Sequence, residues 1–180
     1  MAICALNSNI LRNQTCGYNL PEVVTIYLVN YSDLSGTPET SATTAGCEEI
    51  TAVTLQTSAK VYKIEPAKNS ASFEDTLTVQ DNGNKYRHAS LTFSVNGKYD
   101  ACQHANLDAL SLGRYFAVLA LADGGYIGLG RINPIEAETA TFAGGNDSSG
   151  IQIILSGNIA ESPLPLSDAA VTALLSNVAS

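Results

Sequence analysis

The chain of 180 residues has no tryptophan, one methionine, two histidines and four cysteines. Only 14% of it is charged, and nine Lys and Arg against 17 Asp and Glu leave a net charge of −8. Each shortage excludes something. Duplex DNA recognition needs clustered cations to neutralise phosphates, and no such cluster exists. No run of 18 apolar residues occurs, so no membrane-spanning helix and no membrane partner are expected. The opening Met1-Ala2-Ile3-Cys4-Ala5-Leu6 is apolar, but it is too short for a signal h-region and lacks a basic lead, so secretion by that route is not expected. Cys4, Cys16, Cys47 and Cys102 are scattered without a C-x-x-C pair, which implies neither a disulfide framework nor a zinc site. Asn13, Asn30 and Asn146 open N-x-[ST] matches, which matter only on a secretory route.

What remains is apolar and uncharged-polar. A hydrophobic share of 45% is enough to build a core and excludes a disordered chain. The length suits one domain. Polarity comes from 17 Ser, 15 Thr and 14 Asn, a weakly charged surface suited to a crowded β-assembly. The charge is uneven: residues 1–59 carry −4, residues 60–131 carry +1, and residues 132–180 carry −5. Such a split keeps a protein soluble, and it also allows an acidic surface to meet a mixed one.

From Pro21 onward the pattern predicts strands. Val23 to Val29 is β-branched and aromatic, the signature of a buried strand. Ser32 to Gly46 reads as a polar loop, and strands follow at Ile50–Gln56 and Lys60–Glu65. The best-defined unit is the hairpin Phe73–Asp81 and Lys85–Val95 around Asn82-Gly83, where both turn residues accept positive φ. Phe73, Leu77 and Val79 alternate with Glu74, Thr76, Thr78 and Gln80. Ala89, Leu91, Phe93 and Val95 alternate with His88, Ser90, Thr92 and Ser94. One face reads as core and the other as a carpet of hydroxyls.

Tyr99 to Leu112 shifts to helical spacing, with Asp100 as a candidate cap and Gly113 as a stop. A second hairpin joins Arg114–Ala122 to Tyr126–Ile132 through Asp123-Gly124-Gly125. Ile135–Phe142 and Ile151–Ile159 follow, and Ser167–Val178 reads as a short C-terminal helix. The absence of a βαβ rhythm excludes a parallel nucleotide-binding sheet.

Catalytic motifs are lacking. No G-x-S-x-G elbow occurs, and Cys102 and His104, two residues apart on a helix, do not face each other. Glu136 and Glu138 would sit on one side of a strand about 7 Å apart, a glycosidase-like spacing that more often marks a solvated face. Gly124-Gly125, Gly128-x-Gly130 and Gly144-Gly145 do not open helices, so they read as turns and close packing rather than phosphate cradles. The expectation is no enzyme, no cofactor and no metal. A competing reading is a carbohydrate-binding β-sandwich using Tyr18, Tyr27, Tyr31 or Tyr126.

The order of the second half is more specific. A Phe-led strand, an Asn-Gly hairpin and Ser90-Leu91-Thr92-Phe93-Ser94-Val95 precede a helix ending Leu107-x-x-Leu110-x-x-Gly113. Then come Tyr115-Phe116-Ala117-Val118-Leu119-Ala120, Gly125-Tyr126-Ile127-Gly128-Leu129-Gly130, an acidic strand, a Gly-Gly loop and Gly150-Ile151-Gln152-Ile153-Ile154-Leu155-Ser156-Gly157. Over about residues 50–160 this resembles the tail tube proteins of tailed bacteriophages and of phage-like contractile injection systems.

The resemblance implies a mainly-β fold, a β-sandwich or partial barrel with one flanking helix, whose sheets join into an inner barrel in stacked homo-hexameric rings. It implies a virion protein assembled in the host bacterial cytoplasm, with other tail proteins as partners and genomic DNA passing without sequence-specific contact. The same resemblance admits a hub, baseplate or terminator ring. Glu74, Thr76, Thr78, Gln80, Ser90, Thr92, Ser94, Gln152 and Ser156 become candidate lumen residues, and Ser32, Gly36, Pro38 and Gly46 candidate inter-subunit contacts. The domain division is an arm at 1–20, a tube-like domain at 21–162 with an extended loop at 32–46, and a tail at 163–180.

Overall fold

A computed structural model of the protein describes residues 22–44, 47–96, 101–143 and 150–179. The N-terminal arm, Asp100, Gly46 and the Gly144-Gly145 loop lie outside the described residues.

Among the described residues eleven strands and two α-helices follow one another: β1 (Val23–Asn30), β2 (Glu39–Thr44), β3 (Cys47–Ala52), β4 (Val61–Ile64), β5 (Ser72–Val79), β6 (Lys85–Val95), α1 (Ala101–Leu112), β7 (Arg114–Leu121), β8 (Tyr126–Leu129), β9 (Ile135–Ala143), β10 (Gly150–Ile159), β11 (Leu164–Pro165) and α2 (Asp168–Leu175). The predicted loop at 32–46 is corrected in part, because β2 lies within it and pairs with β3 as a two-stranded ribbon. Its Thr and Ser residues are polar yet fit a pleated, solvated surface well.

The remaining strands form a single nine-stranded sheet. It runs β4-β1-β7-β9-β10-β6-β5, with β8 and β11 continuing from the far end of β7. β7 carries both branches because Arg114 and Tyr115 pair with β9 while Ala117 to Ala120 pair with β8. The expected β-sandwich or partial barrel with one helix is therefore overturned. Apart from the β2–β3 ribbon the described strands form one sheet, and β4 does not pair with β5, so that sheet is not closed into a barrel. β4 is four residues long, and its outer side is taken at Val61 by the C-terminal segment, through Val61 N–H to the Asn177 carbonyl and Ala179 N–H to the Val61 carbonyl. Among the described residues there are two α-helices, and the second is part of the core.

Two apolar clusters hold the sheet. The larger gathers Ile26 and Leu28 of β1, Leu91 and Phe93 of β6, Ala117 and Leu119 of β7, and Ile153 and Leu155 of β10. The other lies on the opposite face of β1 and β7, where Val29, Phe116 and Val118 meet Ile50, Val171 and Leu174. β1 and β7 are thus buried on both faces, which is why their sequences are nearly continuous apolar runs. α2 is capped by the Ser167 hydroxyl, which accepts from the Ala170 amide at 3.3 Å, and it buries Ala170, Val171 and Leu174.

The two hairpin turns share one geometry. Gln80 N–H donates to the Asn84 carbonyl and Gly83 N–H to the Gln80 carbonyl; Leu121 N–H donates to the Gly125 carbonyl and Gly124 N–H to the Leu121 carbonyl. The Asn82 and Asp123 Oδ1 atoms each accept from the amide two residues on, at 3.0 and 2.9 Å. Gly83 and Gly124 take φ of 84° and 90°, while Asn82 does not use the left-handed region. These are three-residue loops with one left-handed glycine, not the two-residue Asn-Gly turn the dipeptide suggested.

Candidate functional site

The register settles which side chains share a face. Glu74 pairs with Ser90 and Ser90 with Ser156; Thr76 pairs with His88 and His88 with Asn158; Ser94 pairs with Gln152. Paired residues of an antiparallel ladder point to the same side, so Glu74, Thr76, Thr78, Ser90, Thr92, Ser94, Gln152 and Ser156 lie on one face of β5, β6 and β10. Gln80 sits just past the end of β5. Thr139 and Thr141 of β9 extend this face through Ile154 and Gln152. Its polar groups bond to one another: the Thr76 hydroxyl donates to Glu74 at 3.0 Å, and His88 Nδ1 lies 3.0 Å from Asn158 Oδ1. Arg114 belongs to the same face and is held by Glu136, Nε to Oε1 at 2.7 Å.

The opposite face of β5 departs from expectation. Phe73, Leu77 and Val79 alternate as a core stripe would, yet they are 38%, 50% and 57% exposed. The core ends at β6, where Ala89, Leu91 and Phe93 are fully covered. Between the exposed residues, Arg87 grips Asp75 with Nε at 3.0 and 2.7 Å from the two carboxylate oxygens, and this ion pair raises the guanidinium pKa further. β5 is also an edge: its eight residues pair with β6 alone among the described strands.

A second feature is a cleft of about 590 Å³ beneath α1. Leu28, Phe93, Ile151 and Ile153 form its floor, and Leu107 and Leu110 of α1 overhang it. Tyr115 borders it, donating its hydroxyl to the Ala109 carbonyl at 2.7 Å. Burial, with a smaller contribution from Tyr62, pushes the Tyr115 phenol above its ordinary pKa.

The remaining candidates are placed as follows. Ser32 and Gly36 are exposed, whereas Pro38 is buried and its carbonyl accepts from Arg131 Nη1 at 2.9 Å. Arg131 also clasps Glu161, with Nε and Nη2 each 2.5 Å from a carboxylate oxygen. Glu136 and Glu138 border one shallow depression of about 480 Å³. The register slips between Ile154 and Leu155, which face Thr139 and Ala137, so Glu138 is the extra residue of a bulge and the simple alternation assumed for the pair breaks there.

Tyr27 is buried in the α2-side cluster, and Tyr126 packs against that cluster. The Tyr31 hydroxyl donates to the Ile132 carbonyl at 2.5 Å. These three tyrosines form no common exposed platform, and Tyr18 lies outside the described residues. His104 Nδ1 lies 3.5 Å from Asp108. Among the described residues no group of three or more His, Cys, Asp or Glu could hold a metal ion, and no helix is long and apolar enough to cross a membrane. Gly128 reflects close packing, since a Cβ there would lie 2.8 Å from Ile50 Cδ1.

Sequence reasoning missed the exposure of Leu77 and Val79 and the cleft under α1. Alternation looks the same whether an apolar face meets its own core or something outside the subunit, so no local signal distinguished them. The phage, virion, tail and six-fold identities suggested by the resemblance gain no support from this geometry, and the expected inner barrel is contradicted by the open sheet. Comparison of the chain with family models, with curated proteins and with solved structures returned no match.

Proposed function

We propose that this chain is a structural subunit that assembles with copies of itself through strand β5, and that it serves in a tubular assembly of the kind its sequence resembles. One observation carries the reading: the eight-residue edge strand β5 turns its outward backbone groups to no other described strand and exposes Phe73, Leu77 and Val79. A long apolar edge is a template for pairing with another chain unless it is blunted. The other ends of the sheet are blunted here. β11 is two residues long, and β4 is bonded at Val61 by the C-terminal segment. The hydroxyl face suits passage of a polyanion. Across β5, β6 and β10 it presents Glu74 and hydroxyl or amide groups without Lys or Arg, and Arg114 of β7 on the same face is engaged by Glu136, so phosphates would find little to hold them.

Light scattering of the full chain, followed by negative-stain imaging of the same fraction, tests this. The wild type is expected as rings or tubes, and a Leu77→Lys/Val79→Lys variant as a monomer with an unchanged thermal midpoint. A wild-type monomer at every concentration, or assembly that survives the double substitution, overturns the proposal.

A further inference from the structure

We propose that the cleft between α1 and the sheet is a binding site for an uncharged, mainly apolar small molecule bearing one hydrogen-bonding oxygen. Its volume, about 590 Å³, falls within the range of small-molecule sites, which are apolar hollows with a few placed polar groups. The cleft exists because α1 packs alongside β9 rather than down onto the floor. Among the side chains described on that helix none is buried, and Leu107 and Leu110 are the apolar ones packed against the core. The helix therefore spans the floor formed by Leu28, Phe93, Ile151 and Ile153 rather than sealing it.

The register decides the chemistry of the walls. On β4, Tyr62 faces Leu28 and Ile64 faces Ile26, both members of the larger cluster, so these side chains point to the cleft side. Lys63 pairs with Tyr27 and so points to the other face, where its ammonium pairs with Glu65. The lining is thus aliphatic and aromatic carbons, the phenols of Tyr62 and Tyr115 and the amides of Asn30 and Asn106, with Lys63 and Glu65 as its two charged residues, paired with each other. Because Lys63 and Glu65 already neutralise each other, a charged ligand would lose its hydration without gaining a free counter-ion. The Tyr115 hydroxyl already donates to the Ala109 carbonyl, and the half-exposed Tyr62 stands at the entrance as the available donor.

Methyl-resolved NMR of the full chain titrated with 1-decanol, decanoate and decylammonium tests this. Saturable one-to-one shifts are expected for 1-decanol at Leu107, Leu110, Ile151 and Ile153, with Val171 and Leu174 of the other cluster unmoved. Decanoate and decylammonium should bind at least tenfold more weakly. Leu107→Trp and, separately, Leu110→Trp should fill the cleft and weaken 1-decanol at least tenfold, with circular dichroism confirming that each variant is folded. Tyr62→Phe should weaken it several-fold. The proposal is overturned by shifts that never saturate, by equal response of both clusters, by tighter binding of either charged probe, or by folded tryptophan variants that bind undiminished. It is equally overturned if decanol fails to bind and Leu107→Trp instead abolishes self-association, because the cleft would then receive a second copy of the chain.

Discussion

The pairs β1–β7 and β5–β6 are both antiparallel ladders rich in apolar residues, yet they meet opposite fates. β1 and β7 are covered on one face by the large cluster and on the other by Ile50, Leu166 and α2. In β5 no side chain is buried, and β6 is buried only along Ala89, Leu91 and Phe93. Apolar residues on a strand therefore report that something should cover them, not that the same subunit does. On β1 and β7 the fold supplies the cover; on β5 it supplies none, and that absence points outward.

Substitutions can break this comparison. Phe116→Ala, in the doubly covered β7, should cost about 3–5 kcal/mol in chemical denaturation, because a fully buried ring leaves a cavity. Leu77→Ala, an apolar truncation on β5, should stay within about 0.5 kcal/mol for the isolated subunit. Comparable losses at both sites would show that β5 is covered by its own chain in solution.

Next in size is the ion pair between β5 and β6. Arg87→Met strands Asp75, whose side chain is only 11% exposed, and should cost about 1.5–3 kcal/mol. A neutral outcome would mean that solvent already reaches Asp75.

The matched turns sharpen the comparison further. A Cβ at Gly83 or at Gly124 would meet nothing within 4 Å, so both penalties come from the positive φ alone. Gly124→Ala should lower global stability by about 1–2 kcal/mol. Gly83→Ala should act mainly on the tip of the β5–β6 hairpin, read as faster amide exchange at Gln80 and Gly83 with less change in the global midpoint.

The smallest effect appears only in alkali. Burial raises the phenol pKa values of Tyr115 and Tyr27 in the folded chain. The stabilisation these neutral phenols contribute is fully present below their unfolded value near 10 and is lost as pH climbs through the folded values, by at most about 1.4 kcal/mol per pH unit for each group. Tyr115→Phe should flatten that alkaline slope in unfolding curves recorded above about pH 10, and an unchanged slope would remove Tyr115 from the account.

Local chemistry made much of this fold legible. Strand and helix positions follow from apolar periodicity, the Ser167 cap from its hydroxyl ahead of Asp168, and the sharing of one face by Glu74, Ser90 and Ser156 from alternation once the hairpin was placed. The ribbon at β2–β3 was hidden because Ser and Thr serve loops and solvated strands equally well. The bulge at Glu138 was hidden because a register slip is decided by the neighbouring strand.

By itself the sequence determined the mainly-β class, the two helices, the positions of the hairpins and the hydroxyl-rich face, since these depend on residues near one another in the chain. Only the tertiary structure decided that nine strands form one open sheet, that Leu77 and Val79 lie bare, and that α1 stands over a cleft. Those outcomes depend on which distant edges meet and how closely layers approach, and local periodicity carries no information about either.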